Sequence, residues 1–531
     1  MTEKLSKESV LIKIRGLMKY KRWWKALLMS LLPLLCCIIA CAAKGQTIAD
    51  VSIVAGEWND ELFYFKQVEG IVHYGFPQGY FGFNESHALK ASFAAWSPVL
   101  VFPWILWGLL FGWNLSSPIF CNIFLMMLSM FLFVWLVKPS GKQLGILTIL
   151  YATFTPLTRY MLSCMPECIC FAMVIIVLAL ILSYQEKEHP VKLQLLFLLT
   201  AVMTLMRPYL LLFMLMPIYY WIRRSRWWGA LGSLAVVGVT GGIYVAVNHY
   251  FGAEYFTPLF DVTWVTTFLE KGIFAGIKFV IWKLLYAGRE YFGLMAAGVQ
   301  TDLFWGEYFV AFTVVMAVIL LQTVFTFLKK KDHQRIFYGY CSLCFVGMWA
   351  ALLLMYKMKE GSKHLLTFLV VGIFVVCLME TRFYKKAVVI AAVFAFLFTA
   401  TPVDGYEHQI PFQSKELAQR STYWEQIFDQ ECQLTLEKTP NFDNVMIWIF
   451  NDKVGEDWAL TPYQMLYQLP EGFGISCCYA DYVKENIDVL QSKYLAVAAG
   501  GEVDLLCQSK KLQEIGRDEG LVVYELQGQV R

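Results

Sequence analysis

The sequence predicts an all-α polytopic membrane module followed by a small C-terminal α/β domain. Three observations point there. The 531-residue chain is 58% hydrophobic and only 16% charged, with a mean hydropathy of +0.53, whereas soluble proteins are about a quarter charged. Apolar runs of about 15–21 residues, long enough to cross a bilayer, recur through the first part of the chain. After Pro402 these runs shorten and charged residues become common. Residues 1–402 are therefore read as the membrane module and 403–531 as the second domain.

The first span covers 23–43. The basic stretch Lys19-Tyr20-Lys21-Arg22 precedes it, which places the N-terminus in the cytoplasm. Ala40-Cys41-Ala42 is the nearest approach to a cleavage site, but it ends a run long enough to span, so the helix is expected to be retained. Further spans are predicted at 118–137, 144–157, 167–184, 192–206, 208–222, 229–249, 308–328, 336–356, 364–380 and 386–402, about eleven in all. The basic connectors Lys138–Lys142, Gln185–Lys192, Arg223–Arg226, Lys329–Arg335 and Lys385-Lys386 then all face the cytoplasm. The C-terminal domain falls outside. The weakest spans are 144–157 and 192–206.

One apolar segment, Trp96–Trp113, is left over. Crossing there would move every later basic loop to the outer face. Pro98 and Pro103 disrupt helical hydrogen bonding, and Trp96, Trp104, Trp107 and Trp113 suit the interface. It reads as a juxtamembrane or re-entrant segment; the alternative is a true crossing with one short span miscounted. The first outer loop is then 44–117 and the second 250–307. The second holds an expected amphipathic surface helix, Val262–Tyr286. In the C-terminal domain, Asn444–Phe450, Gly474–Ala480, Ser492–Val497 and Gly520–Glu525 read as strands. Helices at 459–469, 481–491 and 502–510 alternate with them, which argues a partly parallel sheet. Neither a phosphate loop nor a nucleophile motif occurs there. The 14 cysteines lack zinc spacing, and the cluster Cys164, Cys168, Cys170 reads as small packing residues.

Candidate chemistry lies on the outer side. A carboxylate there can act as general base on an acceptor hydroxyl, and a leaving group then needs compensating positive charge. The carboxylates are Asp60 and Glu61 in Glu57-Trp58-Asn59-Asp60-Glu61-Leu62-Phe63-Tyr64, then Glu85, then Glu167 at the start of its span. The cations are Arg159, Arg207, Arg289, Lys357, Lys359 and Lys363, with His364 beside the last. Each has a plainer reading. Asn59 or Asp60 can cap a helix. Glu167, after Pro166, can simply answer a helix dipole. Lys357, Lys359 and Lys363 can snorkel. Arg207 is the exception, because a charge between two apolar runs is costly and usually functional. His73 and His87, with Asp60 or Glu85, offer a weak divalent-cation set; no other cofactor is indicated.

Several of these residues together resemble a family. A first helix, a loop with Asp60-Glu61 followed by Tyr64, the turn Gly75-Phe76-Pro77 and then Leu110-Phe111-Gly112 resemble the GT-C glycosyltransferases. The likeness is to the branch of dolichyl-phosphate-mannose protein mannosyltransferases and bacterial lipid-linked sugar transferases. It covers the first 400 residues in layout and is specific only over about 57–112. It implies Asp60, with Glu61 beside it, as the base and Glu167 as the second acidic site. Tyr64, Glu85, His87, Arg207, Arg289, Lys363 and His364 become candidate substrate-binding residues by topology. The family's His-Pro-Pro is missing; Asn84-Glu85-Ser86-His87 takes its place, with Trp96-Ser97-Pro98 later, so the acceptor class stays open.

The function expected is therefore inverting transfer of a monosaccharide from a polyprenyl-phosphate donor to an acceptor hydroxyl on a glycan, lipid or protein. The setting is a multi-pass plasma-membrane protein, bacterial in style, with the bilayer as partner and no nucleic acid. A transporter or flippase for a lipid-linked sugar is the alternative, but no internal repeat supports it. A polymer ligase ranks below both, because its large outer loop should come late in the chain.

Overall fold

A computed structural model describes residues 22–43, 45–51, 59–77, 98–252, 261–300, 304–328, 332–356, 358–379, 386–387, 389–391, 393–394, 445–449, 474–478, 480–490, 494–517 and 521–526. Among them, six helices are long and apolar enough to cross a membrane: Arg22–Ala43, Ser117–Val137, Glu167–Glu186, Pro208–Phe251, Gly306–Leu328 and Gln334–Met355. Three shorter apolar helices accompany them, Pro98–Phe111, Pro190–Met206 and Ser362–Cys377.

The chain begins with α1 (Arg22–Ala43) and a first-loop helix, α2 (Asn59–Tyr74). A 3-10 turn at Pro98–Val101 leads into α3 (Phe102–Phe111), whose 10 residues rise only about 15 Å. That is half the thickness of the hydrocarbon core. Its Leu109, Leu110 and Phe111 are exposed, while Trp104 is fully buried.

Next come α4 (Ser117–Val137), α5 (Gly141–Thr153), α6 (Thr155–Met161), α7 (Glu167–Glu186) and α8 (Pro190–Met206). α7 is apolar and buried on nearly every side, which makes it the central helix. It packs along α4. The start of α5 is fixed by a capping box between Ser140 and Gln143. Neither α5, with 13 residues, nor α6, with 7, spans alone, but the two run on through a break at Phe154. α8 ends at Arg207 because the residue before a proline avoids the helical region. Arg207 is extended, at φ −149° and ψ 120°, and Pro208–Met214 continues as a 3-10 turn.

α9 (Leu215–Phe251) is interrupted at Arg226, where φ is 45° and ψ −114°. A Cβ placed on Gly229 would lie 2.3 Å from the carbonyl oxygen of Trp221. Eight residues along a straight helix rise about 12 Å, so the chain turns back on itself at the basic Arg223–Arg226 connector. The two limbs correspond to the separate runs at 208–222 and 229–249.

α10 (Thr263–Lys271) and α11 (Ile273–Gln300) correct the expectation of one helix over Val262–Tyr286. Gly272 separates them at φ +82°. Glycine adopts that conformation at little cost, and hydrophobic periodicity does not register it. The bundle closes with α12 (Phe304–Leu328), α13 (Asp332–Met355) and α14 (Met358–Cys377). α14 reaches α4 through Phe374 and Phe133, with ring centroids 4.7 Å apart. The run at 386–402 is described only in part, up to 394.

The C-terminal residues form a five-stranded sheet in the order β2-β1-β3-β5-β4. The strands are β1 (Val445–Ile449), β2 (Gly474–Cys478), β3 (Tyr494–Ala498), β4 (Gln513–Arg517) and β5 (Leu521–Glu525). β1 pairs parallel with β2 and β3, and β5 pairs antiparallel with β3 and β4. This is the mixed sheet expected from alternating strands and helices. β4 was not expected, since Gln-Glu-Ile-Gly-Arg lacks an alternating pattern; pairing with β5 defines it. Helices α15 (Ala480–Asn486) and α16 (Glu502–Ser509) pack through Val483, Val503 and Cys507 onto Leu495 and Val497 of β3. The predicted helix at 459–469 lies outside the described residues.

Candidate active site at one end of the bundle

Glu167 opens α7 and is completely buried. Arg207, equally buried, donates from Nη2 to Glu167 Oε1 at 2.5 Å. Its Nη1 lies 3.1 Å from His364 Nδ1 on α14. A guanidinium has no acceptor, so Nδ1 takes the hydrogen bond and the ring proton sits on Nε2. The His364 ring lies 5.0 Å from the ring of Tyr209 and 5.0 Å from that of Tyr356. Arg207 thus ties α7 to α14 across the core. An unpaired ion here would cost several kcal/mol, and only a well-formed pair offsets that. The second carboxylate oxygen, Glu167 Oε2, is buried and has no hydrogen-bond partner among the described residues. A buried oxygen left in this state marks a position where a donor can be received.

The first-loop helix reaches the same place. Glu61, in the first turn of α2, is 2% exposed and accepts a 2.8 Å hydrogen bond from the Cys164 backbone N–H. Cys164 belongs to the turn that leads into Glu167. Asn122 on α4 fixes that turn from another side. Its Nδ2 donates to Ser163 O at 2.8 Å, while its Oδ1 accepts from Trp104 Nε1 at 2.9 Å. Tyr64, one turn after Glu61, is buried within electrostatic reach of Arg207. Tyr160 on α6 lies within reach of Glu167, Arg159, Arg207 and Tyr308.

The middle of α2 carries a second buried pair, Lys66 Nζ to Glu69 Oε2 at 2.8 Å. Burial drives the Lys66 amine below its ordinary range and the Glu69 carboxyl above its own, and the ion pair between them opposes both shifts.

Of the predicted residues, the structure brings together Glu61, Tyr64, Glu167, Arg207 and His364. Lys363 stands half-buried beside His364. Asp60 belongs to the first turn of α2, next to Glu61, and its side chain lies outside the described residues. Glu85, His87 and Lys357 lie outside them too, as does the side chain of Lys359. Arg289 is exposed on α11. His73 is exposed at the far end of α2. No group of three or more His, Cys, Asp or Glu side chains placed to hold a metal occurs among the described residues. Cys164, Cys168 and Cys170 are buried free thiols.

Sequence reasoning missed Asn122, Tyr209, Tyr356, Lys66 and Glu69. Asn122 carried a usable signal, a carboxamide inside an apolar run. The two tyrosines carried none, because they join the site only by packing.

No family model matches the chain, and no curated protein matches it by sequence. Among solved structures it is similar to crystal structures of ArnT from Cupriavidus metallidurans, one bound to undecaprenyl phosphate and one in the apo state, each at 12% identity. The first match has a TM-score of 0.40 and covers 94% of this chain and 98% of that one. The second has a TM-score of 0.39 and covers 94% and 97%.

Proposed function

We propose that this chain is a membrane glycosyltransferase of the GT-C type. It moves a monosaccharide from a polyprenyl-phosphate donor to an acceptor hydroxyl on a glycan, lipid or protein, with inversion at the anomeric carbon. The observation that carries this reading is the meeting, at one end of the bundle, of the Asp60-Glu61 helix with the buried Glu167–Arg207–His364 cluster.

Asp60 acts as the base. It takes the acceptor proton while the acceptor oxygen attacks the anomeric carbon. The bond from that carbon to the phosphate oxygen breaks, and polyprenyl phosphate leaves with the bonding electrons. Glu61 is committed to the Cys164 N–H, so it positions α2 and leaves proton transfer to its neighbour. Arg207 is neutralised by Glu167 and orients the site. Lys363 and Arg159 supply positive charge to the leaving phosphate. Glu167 Oε2 receives a hydroxyl of substrate. The site faces the outer side of a bacterial plasma membrane, to which the C-terminal domain also belongs.

The test is sugar transfer from a panel of radiolabelled polyprenyl-phosphate sugars by purified protein in detergent, wild type against Asp60→Asn. The expected result is a loss of transfer of about 10²-fold or more with donor binding retained. Full activity in Asp60→Asn refutes Asp60 as the base. If the wild type turns over no donor yet carries a lipid-linked sugar across liposome membranes, the enzyme reading falls.

A further inference from the structure

The bundle has a second built site at its opposite end. Past the 3-10 turn that follows Arg207, the first limb of α9 runs about 17 Å from Leu215 to the reversal at Arg226, so the two sites are far apart. A cavity of ≈ 570 Å³ lies at that reversal, between α8 and both limbs of α9, within the usual size of ligand sites. Leu193, Phe197, Trp221 and Val236 make its apolar wall, and Arg224 and Ser225 close one side. The wall is preformed. Trp221 stands 5.2 Å edge-on to Phe197. The outer end of its ring fills the space where a Gly232 side chain would be, since a Cβ there would come within 2.2 Å of Trp221 Cη2.

We infer that this groove binds an anionic phospholipid of the surrounding bilayer. An apolar slot with a cation at one side matches an acyl chain below a phosphate head group. The charge is complementary to an anion. Arg224 has Arg223 and Arg226 beside it, all three exposed, with no acidic residue in the turn. Arginine engages phosphate through two parallel hydrogen bonds, and basic pockets between membrane helices suit anionic head groups. Trp227 and Trp228, 83% and 78% exposed, set this turn at the depth of the lipid head groups. Arg207, by contrast, is fully buried and paired with a carboxylate, whereas Arg224 donates to the neutral Tyr184 hydroxyl and keeps its positive charge for a phospholipid phosphate.

The probe is an equimolar mixture of phosphatidylglycerol and phosphatidylcholine added to the full chain in detergent, with bound lipid counted by native mass spectrometry. Both lipids carry a phosphate, but the choline ammonium of phosphatidylcholine is repelled by Arg223, Arg224 and Arg226. Wild type should therefore retain phosphatidylglycerol at least about tenfold over phosphatidylcholine, or about 1.4 kcal/mol. Arg224→Gln should remove the preference, and Arg224→Lys should restore part of it. Val236→Trp, which fills the slot, should remove both lipids. Arg224 also hydrogen-bonds the buried Tyr184, so Tyr184→Phe, which removes that contact and keeps the guanidinium, is the control and should keep the preference. The Arg224→Gln result stands even if Val236→Trp does not fold. Equal retention of the two lipids by wild type overturns the inference. So does undiminished phosphatidylglycerol on Arg224→Gln, or its displacement by equimolar polyprenyl phosphate.

Discussion

Removing Arg207 and Glu167 one at a time, and then together, separates what the pair does for the fold from what it does for chemistry. Both side chains are 0% exposed and joined at 2.5 Å. Arg207→Met strands a buried carboxylate, and Glu167→Leu strands a buried guanidinium. Each should cost about 3–5 kcal/mol. The double variant strands neither charge of the pair, because the side chains that replace both members are apolar and of similar size. It still strands His364 Nδ1, which loses its donor, at about 1–3 kcal/mol. The two single costs together therefore exceed the double cost, with a coupling energy of about 3 kcal/mol or more. Equilibrium unfolding of the four proteins in mixed micelles reads this energy, and sugar transfer is measured on the same samples. The double variant should regain most of its stability and no transfer activity. Single variants that each cost less than about 1 kcal/mol would refute the buried pair. Recovery of transfer in the double variant would refute any part for Glu167 and Arg207 beyond holding helices together.

Two further outcomes follow. Asn122→Leu deprives Trp104 Nε1 and Ser163 O of partners, so it should destabilise by about 2–4 kcal/mol. It should also loosen the Cys164 turn, which a lower transfer rate with near-normal donor binding would report; unchanged stability and rate would refute the anchor. In the C-terminal sheet, Asp504 is fully buried, and burial alone would raise its carboxyl. The Arg517 guanidinium, the Tyr524 hydroxyl and the Gly500 N–H outweigh burial and hold it well below the usual carboxylate range. A depressed folded-state value means that its stabilisation is complete above about pH 4 and is lost as pH falls further. Hydrogen exchange over Tyr494–Ala498, corrected for intrinsic rates, should therefore show wild type losing protection at pH 3 relative to pH 6. Asp504→Asn should be weaker at pH 6 and flatter between the two; an equal acid loss in both proteins would refute the assignment.

Much of the membrane module was legible because crossing a bilayer is a property of one segment at a time. A run such as 167–184 identifies itself by length and hydropathy, whatever it later packs against. The basic Arg223–Arg226 connector likewise predicted a break that the backbone makes at Arg226. Arg207 stood out as a charge between apolar runs, and Glu167 as an acid at a helix start. Where conformation depends on one glycine, as at Gly272, or on pairing with a neighbour, as in β4, the local pattern was silent or misleading.

By itself, then, the sequence determined the class of the molecule. It fixed which runs could be helices in a bilayer, where basic turns interrupt them, and which ionisable residues would be expensive to leave unpaired. Each of those follows from the free energy of moving one segment, or one side chain, between water and an apolar medium. Only the tertiary structure decided the partners. Glu61 meets Cys164 across 103 positions of chain, Arg207 meets Glu167 across 40, and Arg207 meets His364 across 157. Those meetings depend on how helices cross and which faces interlock, and packing of that kind is settled by the whole bundle at once.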